Sequence, residues 1–233
     1  MSADILFDLD GTLIDSSPGI LASFGRVLAA HGLAPVVPLE PSLIGPPLAV
    51  TLRQVSGTHD EALLARLVEA FKADYDTAGY LGTEVFPGVA AGLAQLAAAG
   101  ARLFIVTNKR MLPTRKILDA LGLARHFAGI HTRDETEPPA ASKAAVTKRI
   151  LAHYGIDRGR ACFVGDSDED AAAARENGLR FIHAAYGYGA AGIPQGLPSV
   201  VAGRPDAVLR HFAELPGTVD ALLHRACTAT GHP

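Results

Sequence analysis

The sequence predicts an α/β fold: a parallel sheet covered by helices on both faces, with a small, mostly helical insert near the start of the chain. Two observations carry that expectation. From residue 89 onward, short apolar runs alternate with amphipathic stretches of helical length, the pattern of strand and helix units in a parallel sheet. Between Ser16 and Gly82 no comparable apolar run appears, and helical spacing dominates.

Each element follows in order. Residues 4–8 form a short apolar run that stops at Asp-Leu-Asp-Gly-Thr, a buried strand followed by a tight turn. Residues 18–30 carry apolar side chains at helical spacing, with Ser16 or Ser17 as N-cap and Gly32 near the end. Gly45-Pro46-Pro47 marks a break, and residues 60–75 read as another amphipathic helix. After Phe86-Pro87-Gly88, residues 89–99 are helical, 102–107 a strand, and 112–121 a helix ended by Gly122. Residues 129–132 form a short strand, 142–154 a helix, 160–165 a strand, 168–177 a helix and 180–184 a further strand. Residues 227–233 read as a loose tail.

A chain of 233 residues holds one large domain, or a core plus a smaller insert. With 48% hydrophobic and 19% charged residues, it has the apolar content for a sizeable buried core, which excludes disorder of the whole chain. A net charge of −3 supplies no overall field for nucleic acid or an anionic membrane, so neither is expected as a partner. Cys162 and Cys227 lack CxxC partners, which argues against structural zinc and a disulfide framework. There is no signal-peptide pattern at the N-terminus and no run of 18 apolar residues, so the expectation is a soluble, cytoplasmic protein. Nothing in the sequence sets an oligomeric state.

In such a sheet, ligands bind outside the carboxyl ends of the strands. Those ends carry Asp8 and Asp10, then Thr107 and Asn108, then Asp166 with Asp168 and Asp170 close behind; Lys143 stands near the start of the intervening helix. Taken singly, these are ordinary residues: strand-end aspartates and threonines cap helices or turns, and lysines are solvated. Together they form an inventory for phosphoryl transfer. Several carboxylates hold a hard octahedral cation, a lysine and a hydroxyl bind phosphate oxygens, and one carboxylate is left to attack.

On these residues the chain resembles the haloacid dehalogenase-like superfamily, within it the phosphoglycolate phosphatase-like branch. Asp8-Leu9-Asp10-Gly11-Thr12 resembles the first family motif, Thr107 the second, Lys143 the third, and Gly165-Asp166 through Asp170 the fourth. Ile44-Gly45-Pro46-Pro47-Leu48 and Phe86-Pro87-Gly88-Val89 are also similar to that branch. Many relatives follow the third-motif lysine with proline, whereas Ala144 stands here. Lys148 is the rival, but Lys143 better suits the family spacing to Asp166.

The resemblance implies a Rossmann-like core, residues 1–15 and 86–233, with a helical cap domain, residues 16–85. It implies that Asp8 attacks phosphorus to form an aspartyl-phosphate, while Asp10 protonates the leaving alkoxide and then activates water. Lys143 offsets the repulsion between Asp8 and phosphate, and Thr107 with Asn108 binds phosphoryl oxygens. Mg2+ is held by Asp8, Asp166 and the Asp10 backbone carbonyl, with Asp170 orienting the metal's surroundings. Thr12 is read as stabilising the turn.

The implied substrate is a small phosphorylated metabolite, a phosphoglycolate-like monoester, with Arg53 or Lys109-Arg110 as candidates for a second anionic group. A phosphomutase of the beta-phosphoglucomutase type is the alternative, although such relatives usually carry valine or isoleucine where Thr12 stands. A dehalogenase would lack Asp10, and a binding protein without turnover would not need all four motifs. Gly187-Tyr188-Gly189-Ala190-Ala191-Gly192 matches GxGxxG literally, but Ile193-Pro194 follows instead of a helix, so it reads as a loop. The Walker P-loop, GxSxG and HExxH are absent, and the nine histidines show no ligand spacing.

Overall fold

The computed structural model describes residues 3–190 and 204–224. Residues 191–192 at the end of the GxGxxG stretch, Ile193-Pro194 after it and the tail 227–233 lie outside the described residues. Strand β1, Asp4–Phe7, is followed by a turn and β2, Ile14–Asp15. Helices α1, Ser17–Ala30, α2, Leu48–Ser56, and α3, Glu61–Thr77, come next, and β3, Glu84–Val85, leads back. The chain then alternates: α4 Val89–Ala98, β4 Arg102–Thr107, α5 Met111–Ala120, β5 Gly129–Thr132, α6 Lys143–His153 and β6 Ala161–Gly165. It continues through α7 Asp168–Glu176, β7 Arg180–Ala184, β8 Ala207–Leu209 and α8 Leu215–His224.

The six long-range strands form one sheet in the order β5-β4-β1-β6-β7-β8, and every pairing is parallel. The period-two alternation explains why the strands read as nearly continuous apolar runs: both faces are buried. Ile5, Phe7, Ile105 and Val164 pack in one layer with Leu93, Ile117 and Phe212. Leu6, Phe104, Val106 and Phe163 pack in the other with Ile150 and Ala174. The chain moves outward from β1 through β4 to β5, then returns to the other side of β1 at β6. That reversal opens a crevice at the carboxyl ends of β1, β4 and β6.

Between β2 and β3 the three helices bury a separate cluster that includes Phe24, Leu28, Leu52, Leu67 and Phe71. Asp60 caps α3, its Oδ1 accepting from the N–H groups of Ala62 and Leu63 at 2.8 and 3.2 Å. Helix α2 is an element that the sequence pattern does not predict. Its apolar residues Leu48, Leu52 and Val55 fall on one side, and Gly57 at φ +66° ends it with its N–H on Arg53 O. The stretch also leaves through a two-stranded antiparallel ribbon, Ile14 opposite Val85 and Asp15 opposite Glu84. Among the described residues no helix is long and apolar enough to cross a membrane.

Candidate active site

The Asp8 N–H continues the β1–β6 ladder by donating to Val164 O at 2.9 Å, which fixes this residue at the strand end. The chain then folds over itself. Thr12, Leu13 and Ile14 all donate their N–H groups to Leu9 O, at 3.3, 2.9 and 3.1 Å. Gly11 is required here twice over: its φ is +82°, and a Cβ would run into the Asp166 carboxylate. Asp8 and Asp10 thereby face the crevice from one turn, with Asp166 beside them.

Lys143, the first residue of α6, is buried and sends Nζ to Asp8 Oδ1 at 3.0 Å and to Asp170 Oδ1 at 2.6 Å. The geometry thus singles out Lys143 over Lys148. The other oxygen of Asp170 accepts from Ser167 N–H at 3.0 Å and Ser167 Oγ at 2.6 Å. Ser167 Oγ in turn accepts the Asp170 N–H, closing a capping box at the start of α7. With both oxygens engaged, Asp170 anchors the lysine that faces Asp8.

Asp166 is held from two sides. Its Oδ1 accepts from Thr12 Oγ1 at 3.3 Å, and its Oδ2 from the N–H groups of Tyr188 and Gly189 at 2.8 and 3.1 Å. Thr12 therefore does more than stabilise a turn: it ties the first motif to the fourth. The Gly-Tyr-Gly stretch that imitates a nucleotide fingerprint is a collar around Asp166. A Cβ at Gly187 would strike Gly11 O, and one at Gly189 would strike Asp166 O. Tyr188 also reaches outward, its hydroxyl lying 2.7 Å from Ser16 N and 2.8 Å from Asp15 Oδ1.

Thr107, at the end of β4, is buried; its Oγ1 accepts the Lys109 N–H at 3.2 Å, and its own O–H can donate into the crevice. Asn108 lines the same space, but its side-chain amide donates to Glu169 Oε2 at 2.6 Å, and its Oδ1 is buried without a partner. One amide N–H is thus committed to Glu169, which leaves the second N–H and the backbone N–H as donors for a phosphoryl oxygen. Lys109, offered by the sequence with Arg110 as a candidate for a second anionic group, lies 2.9 Å from Asp10 Oδ1 and over the Tyr75 ring at 4.8 Å. Ser16, expected as a helix cap, makes no cap hydrogen bond and instead donates Oγ to Asp10. Arg53 does not face the crevice and pairs with Glu61.

The charges explain the electrostatics. Burial and then the charge of Asp170 push the Asp8 carboxyl well above its ordinary value; Lys143 opposes them, while Asp166 and Asp10 add to the rise. Burial and Asp170 push Asp166 up to about 6. Burial pulls the Lys143 ammonium down, but Asp170 and Asp8 outweigh it and raise it above the usual lysine range. Four carboxylates, Asp8, Asp10, Asp166 and Asp170, thus face two ammonium groups, Lys109 and Lys143. Oxygens of Asp8, Asp166 and Asp170 lie within 4.8 Å of one another. An oxygen-only donor set with unbalanced negative charge suits a hard divalent cation.

All six candidate residues, Asp8, Asp10, Thr107, Asn108, Lys143 and Asp166, line one cavity of about 750 Å3. Its far wall comes from the helical insert.

Comparison with known proteins agrees with this arrangement. Residues 5–184 match the profile of the haloacid dehalogenase-like hydrolase family. The chain is 34% identical to a phosphoglycolate phosphatase of Yersinia pseudotuberculosis, over 91% of this chain and 90% of the relative. It is 35% identical to tyrosine-protein kinase PtkA of Mycobacterium tuberculosis over 80% of this chain, and spans 63% of that relative's length. A structure of the Mycobacterium tuberculosis PtkA superimposes with a TM-score of 0.77 at 31% identity, covering 94% of this chain and 98% of that one. With the parallel sheet, the helical insert and the crevice of acids and lysine in place, the chain belongs to the haloacid dehalogenase-like hydrolase family, in its phosphoglycolate phosphatase-like branch.

Proposed function

We propose that this protein is a magnesium-dependent phosphatase that hydrolyses small phosphomonoesters through an aspartyl-phosphate on Asp8. The observation that carries the reading is the buried contact of Lys143 with both Asp8 and Asp170 at the carboxyl end of the sheet. Asp8 attacks phosphorus, forming a P–O bond while the bond to the leaving oxygen breaks. Asp10 gives that oxygen a proton, then takes one from the water that cleaves the acyl phosphate. Thr107, with Asn108 beside it, and Lys143 hold the phosphoryl oxygens, Lys143 also offsetting charge repulsion as the nucleophile approaches. Asp8, Asp166 and the Asp10 carbonyl would hold Mg2+, which when bound lowers the repulsion between carboxylate and phosphate. Residues 16–85 act as a cap domain over a core of 1–15 and 86–233, excluding water from the closed crevice.

The relatives' names make phosphoglycolate a reference substrate, and the mycobacterial kinase makes transfer to a tyrosine peptide a control. Asp8→Asn should abolish phosphate release, by at least a thousandfold, while circular dichroism shows an intact fold. Near-normal turnover by this variant would sink the mechanism. Phosphate passing to a peptide or sugar hydroxyl without release would move the reaction to kinase or mutase.

A further inference from the structure

The wall opposite Asp8 differs from what a two-carbon acid needs. The insert supplies Ile20, Phe24, Leu43, Ile44, Leu48 and Phe71 to the cavity, along with Val68 and Tyr75. Behind this wall three almost fully buried aromatics stack, Phe24 on Phe71 with ring centroids 4.7 Å apart and Phe71 on Tyr75 at 5.5 Å, so the surface offered to a ligand is mainly the half-buried Ile20, Ile44, Leu48 and Val68. A volume of about 750 Å3 is in the range of pockets that enclose multi-ring ligands, roughly 300–1,000 Å3.

Charge points the same way. A carboxylate on the leaving group would need a cation that is not already engaged. Among the described residues of the insert, Lys72 alone brings a cation to the cavity, and it pairs with Glu69 at 2.7 Å. On the sheet side, Lys109 is paired with Asp10 and Arg110 is bidentate to Asp76 at 2.6 and 2.8 Å. Arg133 donates to the carbonyls of Ala140 and Ala141 at 2.8 and 3.0 Å. Lys143 belongs to Asp8 and Asp170.

We infer that the preferred substrates are phosphomonoesters of aromatic alcohols, with the ring system covered by the apolar wall of the insert and the phosphoryl group at Asp8. The inference rests on the phosphatase reading and specifies its leaving group. Chemically the step is unchanged: the P–O bond to the aromatic alcohol breaks, the new bond forms to Asp8, and the departing oxygen takes the Asp10 proton. Recognition of the ring is hydrophobic, so it grows with buried area instead of with charge.

The test pairs esters whose leaving alcohols have similar acidity, so that reactivity does not masquerade as recognition. 2-Naphthyl phosphate is set against phenyl phosphate and benzyl phosphate against ethyl phosphate, with phosphoglycolate as reference. Phosphate release by the magnesium-loaded protein is measured for each. We expect roughly a tenfold gain in kcat/KM for the larger member of each pair, with benzyl phosphate above phosphoglycolate. The chain has no tryptophan, so naphthyl fluorescence can also report binding to Asp8→Asn directly.

Val68→Arg, at a half-buried position of the apolar wall, should erase the naphthyl preference and raise kcat/KM for phosphoglycolate. Phosphoglycolate hydrolysed as well as or better than benzyl phosphate by the wild-type protein would overturn the inference and leave the phosphatase intact. Equal rates within both pairs would overturn it too. No phosphate release from any ester would bring down the phosphatase reading and this inference with it.

Discussion

On the proposed reading, Asp166 couples stability, pH and metal through one side chain. Burial and the neighbouring Asp170 hold its carboxyl up at about 6. In the unfolded chain it titrates near 4. Between those values the folded, metal-free protein binds more protons than the unfolded one, so this residue's contribution to stability falls as pH rises through that window. A divalent cation needs the ionised carboxylate and reverses the penalty. The gain in Tm on adding Mg2+ should therefore grow from pH 5 to pH 7, by on the order of 5 °C, and Asp166→Asn should lose most of it. A gain independent of pH, measured by calorimetry in matched ionic strength, would contradict the assignment of Asp166. The acids and Lys143 were legible in the sequence because strand ends and spacing mark them. The Lys109–Asp10 pair and the Tyr188 contacts were not, since each joins residues about a hundred positions or more apart through nothing but the fold.

At the scale of elements, the boundaries follow local chemistry where that chemistry is strong. Strands β4, β5 and β7 begin and end where the apolar runs do, because each is bracketed by glycine, charge or a helix cap. Helix α2 escaped notice for a physical reason. It has nine residues, with the β-branched Val50, Thr51 and Val55 among them, and is too short to stand alone. Burial of Leu52 and Val55 under the other insert helices holds it. Strand β8 has only three residues, too short for a period-two signal, and Pro216-Gly217 interrupts the helical pattern at the start of α8. Two glycines separate local from tertiary demands. Gly217 lies within α8 with open space where a Cβ would go, so Gly217→Ala should be neutral or stabilising by up to about 1 kcal/mol. Gly189 presses against the Asp166 backbone, so Gly189→Ala should destabilise by roughly 1–3 kcal/mol. Chemical denaturation of both variants distinguishes them, and equal midpoints would remove the collar argument.

For the molecule as a whole, the question is what holds the insert over the crevice. Covalently it is joined through the short β2–β3 ribbon, whose two residue pairs offer little resistance to bending. The firmer ties are electrostatic and gather at the C-terminal end of α3. Arg110 grips the Asp76 carboxylate with two hydrogen bonds, and Lys116 donates to Asp76 O at 2.7 Å. Lys109 lies over the Tyr75 ring one residue earlier. Cations placed at a helix C-terminus are favoured by its unsatisfied carbonyls, so on the proposed cap reading this end of α3 would serve as a latch against the core. Arg110 is partly exposed, and its removal should cost on the order of 1 kcal/mol of the closed state. That corresponds to about a fivefold shift toward open forms. Small-angle scattering of Arg110→Ala should then give a larger radius of gyration than the wild type in the absence of ligand. Orthovanadate with Mg2+ should contract both proteins, the variant needing more ligand to reach the same radius. A variant as compact as the wild type at every ligand concentration would mean that the ribbon and the apolar wall close the cap without the latch.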